Sequence, residues 1–167
     1  MARRRTRVWS PKAAPAAVAA VVLGLWAAAV PLVGPYFDFG FLTTKTWVFS
    51  EAAVTLSIVP GLAAAVGGVL LVRPLRAVGS LGRLLVLLAA VWLLVGPSLY
   101  PVWSGKTLQP LPGPDWKVAL LWIGYFYGVG ALLALVAGYV QGLVTRRQRI
   151  EETQVAEPQF ERVVTEG

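Results

Sequence analysis

The chain has 167 residues, of which 57% are hydrophobic and only 14% charged, with a mean hydropathy of +0.68. A soluble domain carries about a quarter charged residues, so this composition excludes an ordinary water-soluble fold. Cys and His are absent and the net charge is +7, which excludes disulfide exchange and thiolate or imidazole metal ligation within the chain and removes the commonest general base.

Residues 1–13 read as a basic tail carrying Arg3, Arg4, Arg5, Arg7 and Lys12, with Trp9 near the inner interface. The apolar run 14–35 that follows is longer than the roughly 7–15 residues of a signal-peptide core, so it is expected to be a retained first span. It ends at Pro31 and Pro35, which share one helix face and each withhold a backbone donor. The outer loop Tyr36-Phe37-Asp38-Phe39-Gly40-Phe41 is aromatic and too short to fold alone. Thr46 is expected to cap the second helix, with Trp47 in the outer aromatic belt.

The second span, 51–72, carries Pro60 near mid-membrane and a cluster of small residues, Gly61, Ala63, Ala64, Ala65, Gly67 and Gly68. The inner loop 73–80 leads to a third span, 84–100, which repeats the Trp-then-two-prolines ending. Pro110-Leu111-Pro112-Gly113-Pro114 favours a stiff extended connection. Asp115 then caps the fourth span, 117–144, whose Gly124-x3-Gly128 and Gly138-x3-Gly142 pairs suit close backbone approach, either within the monomer or in a dimer. Residues 145–167 are polar and glutamate-rich, and are expected to extend helix 4 before fraying.

A repeat organises these elements. Trp26, Pro31 and Pro35 recur 66 residues later as Trp92, Pro97 and Pro101, and Thr46-Trp47 recurs 69 residues later as Asp115-Trp116. The repeats cover about 14–72 and 84–144. Each holds two spans, so both enter the membrane in the same orientation, about a pseudo-axis along the membrane normal. The expected fold is an all-α integral membrane four-helix bundle built from two tandem, parallel-oriented helical hairpins.

Charge sets the expected topology. Of the 15 Lys and Arg residues, 12 lie in the two tails and the middle loop (Arg73, Arg76, Arg83), while Lys45, Lys106 and Lys117 alone lie in the other two loops. This positive-inside pattern places both termini in the cytoplasm and the chain in the cell membrane as a multi-pass protein. The basicity is therefore topological, with no nucleic-acid partner expected. Anionic lipid headgroups at the cytoplasmic face are the expected lipid partners.

Few residues suggest chemistry. Glu51 is the acid nearest an apolar span, expected about one turn into helix 2 with Thr55 one turn further on the same face. An intramembrane carboxylate suggests an ion or substrate site, whereas a shallow one is an interfacial acid favoured by the helix N-terminus. Its repeat partner is Leu120, so the acid is not shared scaffold. Trp26 and Trp92 read either as a stacking surface for a lipid tail, quinone or pigment, or as large anchors packed against small residues of the partner half, with the indole N–H bonded to a proline-freed carbonyl. The aromatic outer surface (Tyr36, Phe37, Phe39, Phe41, Trp47, Phe49, Tyr100, Trp103, Trp116) reads as an aromatic belt or as a docking face. Tyr125 and Tyr127 read as helix–helix hydrogen-bond donors.

Glu51, Ile58-Val59-Pro60-Gly61, Gly67-Gly68, Ala90-Val91-Trp92, Gly96-Pro97 and Gly124-Tyr125-Phe126-Tyr127-Gly128-Val129-Gly130 together resemble uncharacterised four-span membrane proteins of high-GC actinobacteria. The resemblance implies a bacterial cytoplasmic membrane and supplies no activity, ligand or catalytic residue. The expected function is that of a non-catalytic membrane subunit or scaffold with a protein partner or a second copy in the membrane. The alternatives are a small transporter or channel and a lipid- or quinone-binding protein. No cofactor is expected, and an enzyme is conceivable only if Asp38, Asp115 or Glu51 acts with a partner's residues.

Overall fold

The computed structural model describes residues 13–41, 44–73, 76–143 and 145. Residues 1–12, with Trp9, and residues 146–167 lie outside the described residues. Four helices are long and apolar enough to cross a membrane: α1 (Ala14–Phe37), α2 (Glu51–Leu71), α3 (Ala77–Ser104) and α4 (Asp115–Leu143). In hydrocarbon every backbone polar group must pair within the protein, and a helix does this within one segment. At about 1.5 Å per residue even the shortest of the four reaches across a bilayer core.

Prolines lie within these helices without stopping them. Pro31 lies inside α1, which tightens into a 3-10 turn at Gly34–Phe37, while Pro97 and Pro101 lie inside the third helix, which runs from Arg76 to Ser104. That helix is longer at both ends than the expected 84–100. Its outer end persists because each proline costs one donor while the following N–H groups resume the ladder. Its inner end is held by packing, since a Cβ on Gly82 would lie 2.7 Å from the Gly67 carbonyl oxygen. The fourth helix starts at Asp115, with Pro114 rather than Asp115 in the capping position. Asp115 is thus the first helical residue, where its charge rather than its side-chain geometry suits the helix N-terminus.

The helices approach closely wherever glycine removes the side chain. A Cβ on Gly24 would fall 2.5 Å from Ala65 N and 2.6 Å from Gly61 O, so α1 and α2 meet backbone to backbone. Gly67 and Gly82 bring α2 and α3 together in the same way, and Gly130 seats α4 on Ala90 and Leu94 of α3. The interior is correspondingly built of small residues, with Ala20, Ala27, Ala64 and Ala90 fully buried around Leu56, Leu93, Leu121, Tyr125 and Leu133. Apart from the tyrosines Tyr100 and Tyr125, Ser57 is the one buried polar side chain among the described residues. Outward-facing positions are just as apolar: Val18, Leu25, Leu62, Val66, Leu88 and Leu135 are all exposed. A surface of that kind suits a hydrocarbon solvent, because water would impose a heavy hydrophobic penalty on it.

The connections after α1 and after α3 meet at one end of the bundle. Leu111 N donates to Gly40 O at 3.1 Å, and Phe41 and Pro110 form an isolated antiparallel bridge. Phe41 then inserts edge-on among Trp122, Tyr125 and Phe126 of α4, with ring centroids 4.9 to 5.5 Å away. The proline-rich second connection is therefore tied to the first loop by backbone contacts.

Candidate functional site

The start of α2 is set by Ser50. Its backbone is extended (φ −75°, ψ 157°), and its Oγ accepts the Ala53 N–H at 3.1 Å, so it satisfies one of the donors a helix start leaves unpaired. Thr46, the expected cap, lies with Trp47 in a turn four residues upstream, where Trp47 adopts a positive φ of 58°. This corrects the depth of Glu51. It is the first residue of α2 and exposed, not one turn inside the helix.

Thr55 does not complete a polar cage with it. The Thr55 hydroxyl donates back to the Glu51 carbonyl at 2.7 Å, along its own helix. What Thr55 contributes to the bundle is instead its main-chain oxygen. Residues Val54–Ile58 form a π-turn in which the Val59 N–H reaches Val54 O. That shift removes the donor Thr55 O would have in an α-helix, and the next residue along, Pro60, has no N–H to offer. The orphaned oxygen is met by Trp92 Nε1 of α3 at 2.9 Å.

The same arrangement occurs on α4. Residues Ile123–Tyr127 form a second π-turn, with the Gly128 N–H diverted to Ile123 O. Gly124 O thereby loses its helical donor, and Trp26 Nε1 of α1 supplies one at 2.9 Å. Both indoles are about half exposed, at 50% for Trp26 and 40% for Trp92, so each bridges a seam between helices and leaves a ring face outward. Trp92 also stacks on Trp103, with centroids 6.0 Å apart.

Tyr125 is the third link across the bundle. Its hydroxyl donates to Phe39 O at 2.7 Å, with Val30 O 3.1 Å away. It thereby ties α4 to the end of α1 and to the outer loop. Gly34 makes room for it, since a Cβ there would collide with Phe39 O and sit 2.6 Å from the Tyr125 hydroxyl. Asp38, in the left-handed conformation (φ 55°), closes the end of α1 and lies 3.9 Å from Lys117 Nζ. That exposed pair contributes little. Tyr127 makes no such link and stacks on Trp122 at the surface, with centroids 5.8 Å apart.

Other expected site residues fall apart from this group. Pro31 and Pro97 are buried, whereas Pro101 is exposed. Gly124 faces the Phe39 ring, and the nearest atoms to a Cβ on Gly128 belong to Ile123 of its own helix. Gly138 and Gly142 face open space. Helix approach within the chain rests instead on Gly24, Gly61, Gly67, Gly82 and Gly130. The aromatic outer surface also divides: Phe39 and Phe41 pack inward on α4 and Tyr100 is buried, while Tyr36, Phe37, Trp47, Phe49 and Trp116 stay exposed.

Sequence reasoning missed Ser50, although a serine directly before Glu51-Ala52-Ala53 is a recognisable cap. It also missed the two π-turns, which no residue pattern announces. Among the described residues no group of His, Cys, Asp or Glu could hold a metal ion. Compared with known proteins, the chain matches no family model, no curated protein and no solved structure.

Proposed function

We propose that the chain is a multi-pass protein of the cell membrane with both termini cytoplasmic, built from two tandem hairpins of like orientation. We further propose that it acts as a non-catalytic subunit or scaffold packed against another membrane protein. The tandem reading gains support from features invisible in the sequence. The π-turns at Val54–Ile58 and Ile123–Tyr127 lie 69 residues apart, the offset that relates Thr46 to Asp115. The indole acceptors Thr55 and Gly124 share that offset, and their donors Trp92 and Trp26 are themselves repeat partners. Each tryptophan therefore bonds the π-turn of the other half. Each second proline carbonyl also accepts from a positive-φ residue just beyond it, three residues on for Pro35 O and Asp38 N and four residues on for Pro101 O and Gly105 N. The distribution of Lys and Arg supports the orientation.

The observation that carries the scaffold reading is the contrast between interior and rim. Inside, helices touch backbone to backbone at Gly24–Gly61 and Gly67–Gly82, and the buried side chains are almost wholly apolar. A hydrophilic path needs polar lining, and Glu51 and Thr55 supply none, the first being exposed and the second bonded to its own helix. At the loop end, Tyr36, Phe37, Trp47, Phe49, Trp103 and Trp116 remain exposed. Exposed aromatic clusters of that size are what a buried protein contact uses as anchors.

The test is affinity purification from native membranes in mild detergent, followed by protein mass spectrometry. A stoichiometric membrane-protein partner that is lost from Phe37→Ala/Trp47→Ala supports the reading. Recovery of the chain alone, or flux through proteoliposomes that Thr55→Val abolishes, overturns it.

A further inference from the structure

At the end of the bundle opposite the aromatic loops, a groove of about 530 Å³ runs between α1 and α2. Its floor forms where the two helices touch, since a Cβ on Gly68 would lie 2.9 Å from Ala17 O and 2.8 Å from Val21 Cγ2. Its walls are Val18 and Val22 on α1 and Val69 and Val72 on α2, all exposed, with Val18 at 62%. Arg73, two residues past the end of α2 at Leu71, also lines the groove. From Ala17 to Val22 the trough is about 8 Å long at 1.5 Å per residue.

We propose that this groove holds an acyl chain of an anionic membrane phospholipid, with the lipid phosphate paired to the Arg73 guanidinium. The site has the two parts such a ligand requires. The trough is smooth and lined by valines and small residues, so a flexible chain fills it without displacing a polar group. The cation stands at the membrane-surface end of the trough, where a phosphate sits when its chain points into the bilayer. No carboxylate pairs with Arg73 among the described residues. Basic pockets between spans on the cytoplasmic side bind such headgroups, and a guanidinium fork matches phosphate oxygens bidentately. In sequence, Lys12 directly precedes the first described residue, Ala13, and Arg76 follows Arg73 by three residues. A neutral phospholipid would bring no net negative charge to the Arg73 guanidinium. The proposal rests on the orientation reading above, in which this end faces the cytoplasmic leaflet.

The test is native mass spectrometry of the full chain released from vesicles of equal phosphatidylglycerol and phosphatidylcholine. One retained phosphatidylglycerol per chain is expected. Arg73→Ala weakens its retention about five-fold, as loss of one surface cation implies, while Arg73→Lys keeps most of it. Val18→Trp fills the trough from an exposed wall and removes phosphatidylglycerol and phosphatidylcholine alike. Retention of phosphatidylcholine equal to that of phosphatidylglycerol overturns the proposal, as does a second copy of the chain in place of lipid. An equal loss in Arg83→Ala overturns it too, because that result reports general surface charge. Orientation is read separately. The chain has no cysteine, so Arg73→Cys gives a single thiol, and its labelling by an impermeant maleimide from outside the cell would remove the cytoplasmic assignment whatever lipid is retained. Loss of a protein partner with lipid retention intact would bear on the scaffold reading alone.

Discussion

A carbonyl that loses its helical donor inside a bilayer has no water to turn to, so the two indole bonds carry more than their exposure suggests. Trp92→Phe keeps most of the ring while leaving Thr55 O without a donor, and Trp26→Phe does the same to Gly124 O. Each is expected to cost about 1–2 kcal/mol, the range for an unmet hydrogen bond and for interhelical bonds in membranes. Equilibrium unfolding in mixed micelles measures this, and a loss as large from Trp116→Phe would show that the indole bonds are not special. The capping serine gives a second test at this scale. Ser50→Ala should destabilise α2 by about 1 kcal/mol, whereas Thr46→Ala, outside the helix, should stay within about 0.5 kcal/mol. The reverse order would restore the longer helix that the sequence alone suggests. That expectation failed for a physical reason. Both Thr46 and Ser50 are acceptable caps just upstream of the apolar run, and the choice falls to Trp47, whose positive φ and N–H bond to Leu32 O end any helix running backward from Glu51.

Among elements, the spans were legible and their contacts were not. Hydropathy and length are local properties of the chain, so 14–35, 51–72 and 117–144 stand close to the helices observed. Which face of a helix meets a neighbour depends on the rotation of two helices at once. The sequence therefore offers several glycine pairs of equal merit. Gly61, Gly67 and Gly68 were visible as a small-residue cluster, but Gly24 and Gly82 acquire meaning only as the surfaces opposite them. The Gly138-x3-Gly142 pair has the most recognisable spacing and faces open space. Gly61→Leu should destabilise the bundle by about 3 kcal/mol or prevent assembly, because backbone atoms of α1 cannot yield as side-chain ends do. Gly138→Ala and Gly142→Ala should leave the monomer within about 0.5 kcal/mol of the parent. Fluorescence-detected gel filtration with a thermal ramp separates the cases. A Gly138→Ala variant that unfolds earlier without changing oligomer size would contradict this division.

For the whole molecule, the two tryptophan bonds join different helix pairs: the first helix to the last, α1 to α4, and the two middle helices, α2 to α3. Tyr125 adds a second α1–α4 link and carries the outer loop with it. If the chain is built from two tandem hairpins as proposed, neither hairpin satisfies its own π-turn, since each indole donor lies in the other half. The molecule is expected to fold as one cooperative unit rather than as two hairpins that later dock. This has a measurable consequence in topology and in stability. Separately expressed fragments 1–73 and 74–167 should each insert, because insertion depends on the hydropathy of single spans, yet neither alone should resist protease as the whole chain does. Co-expression should restore resistance. The restored complex should be lost with Trp26→Phe and Trp92→Phe combined, by about twice the free-energy cost of either, since the two bonds lie on different helix pairs and share no partner. Full protease resistance of the first fragment alone would mean that the orphaned Thr55 carbonyl finds a partner within its own hairpin. The two indole bonds would then be a detail of packing rather than what couples α1 to α4 and α2 to α3.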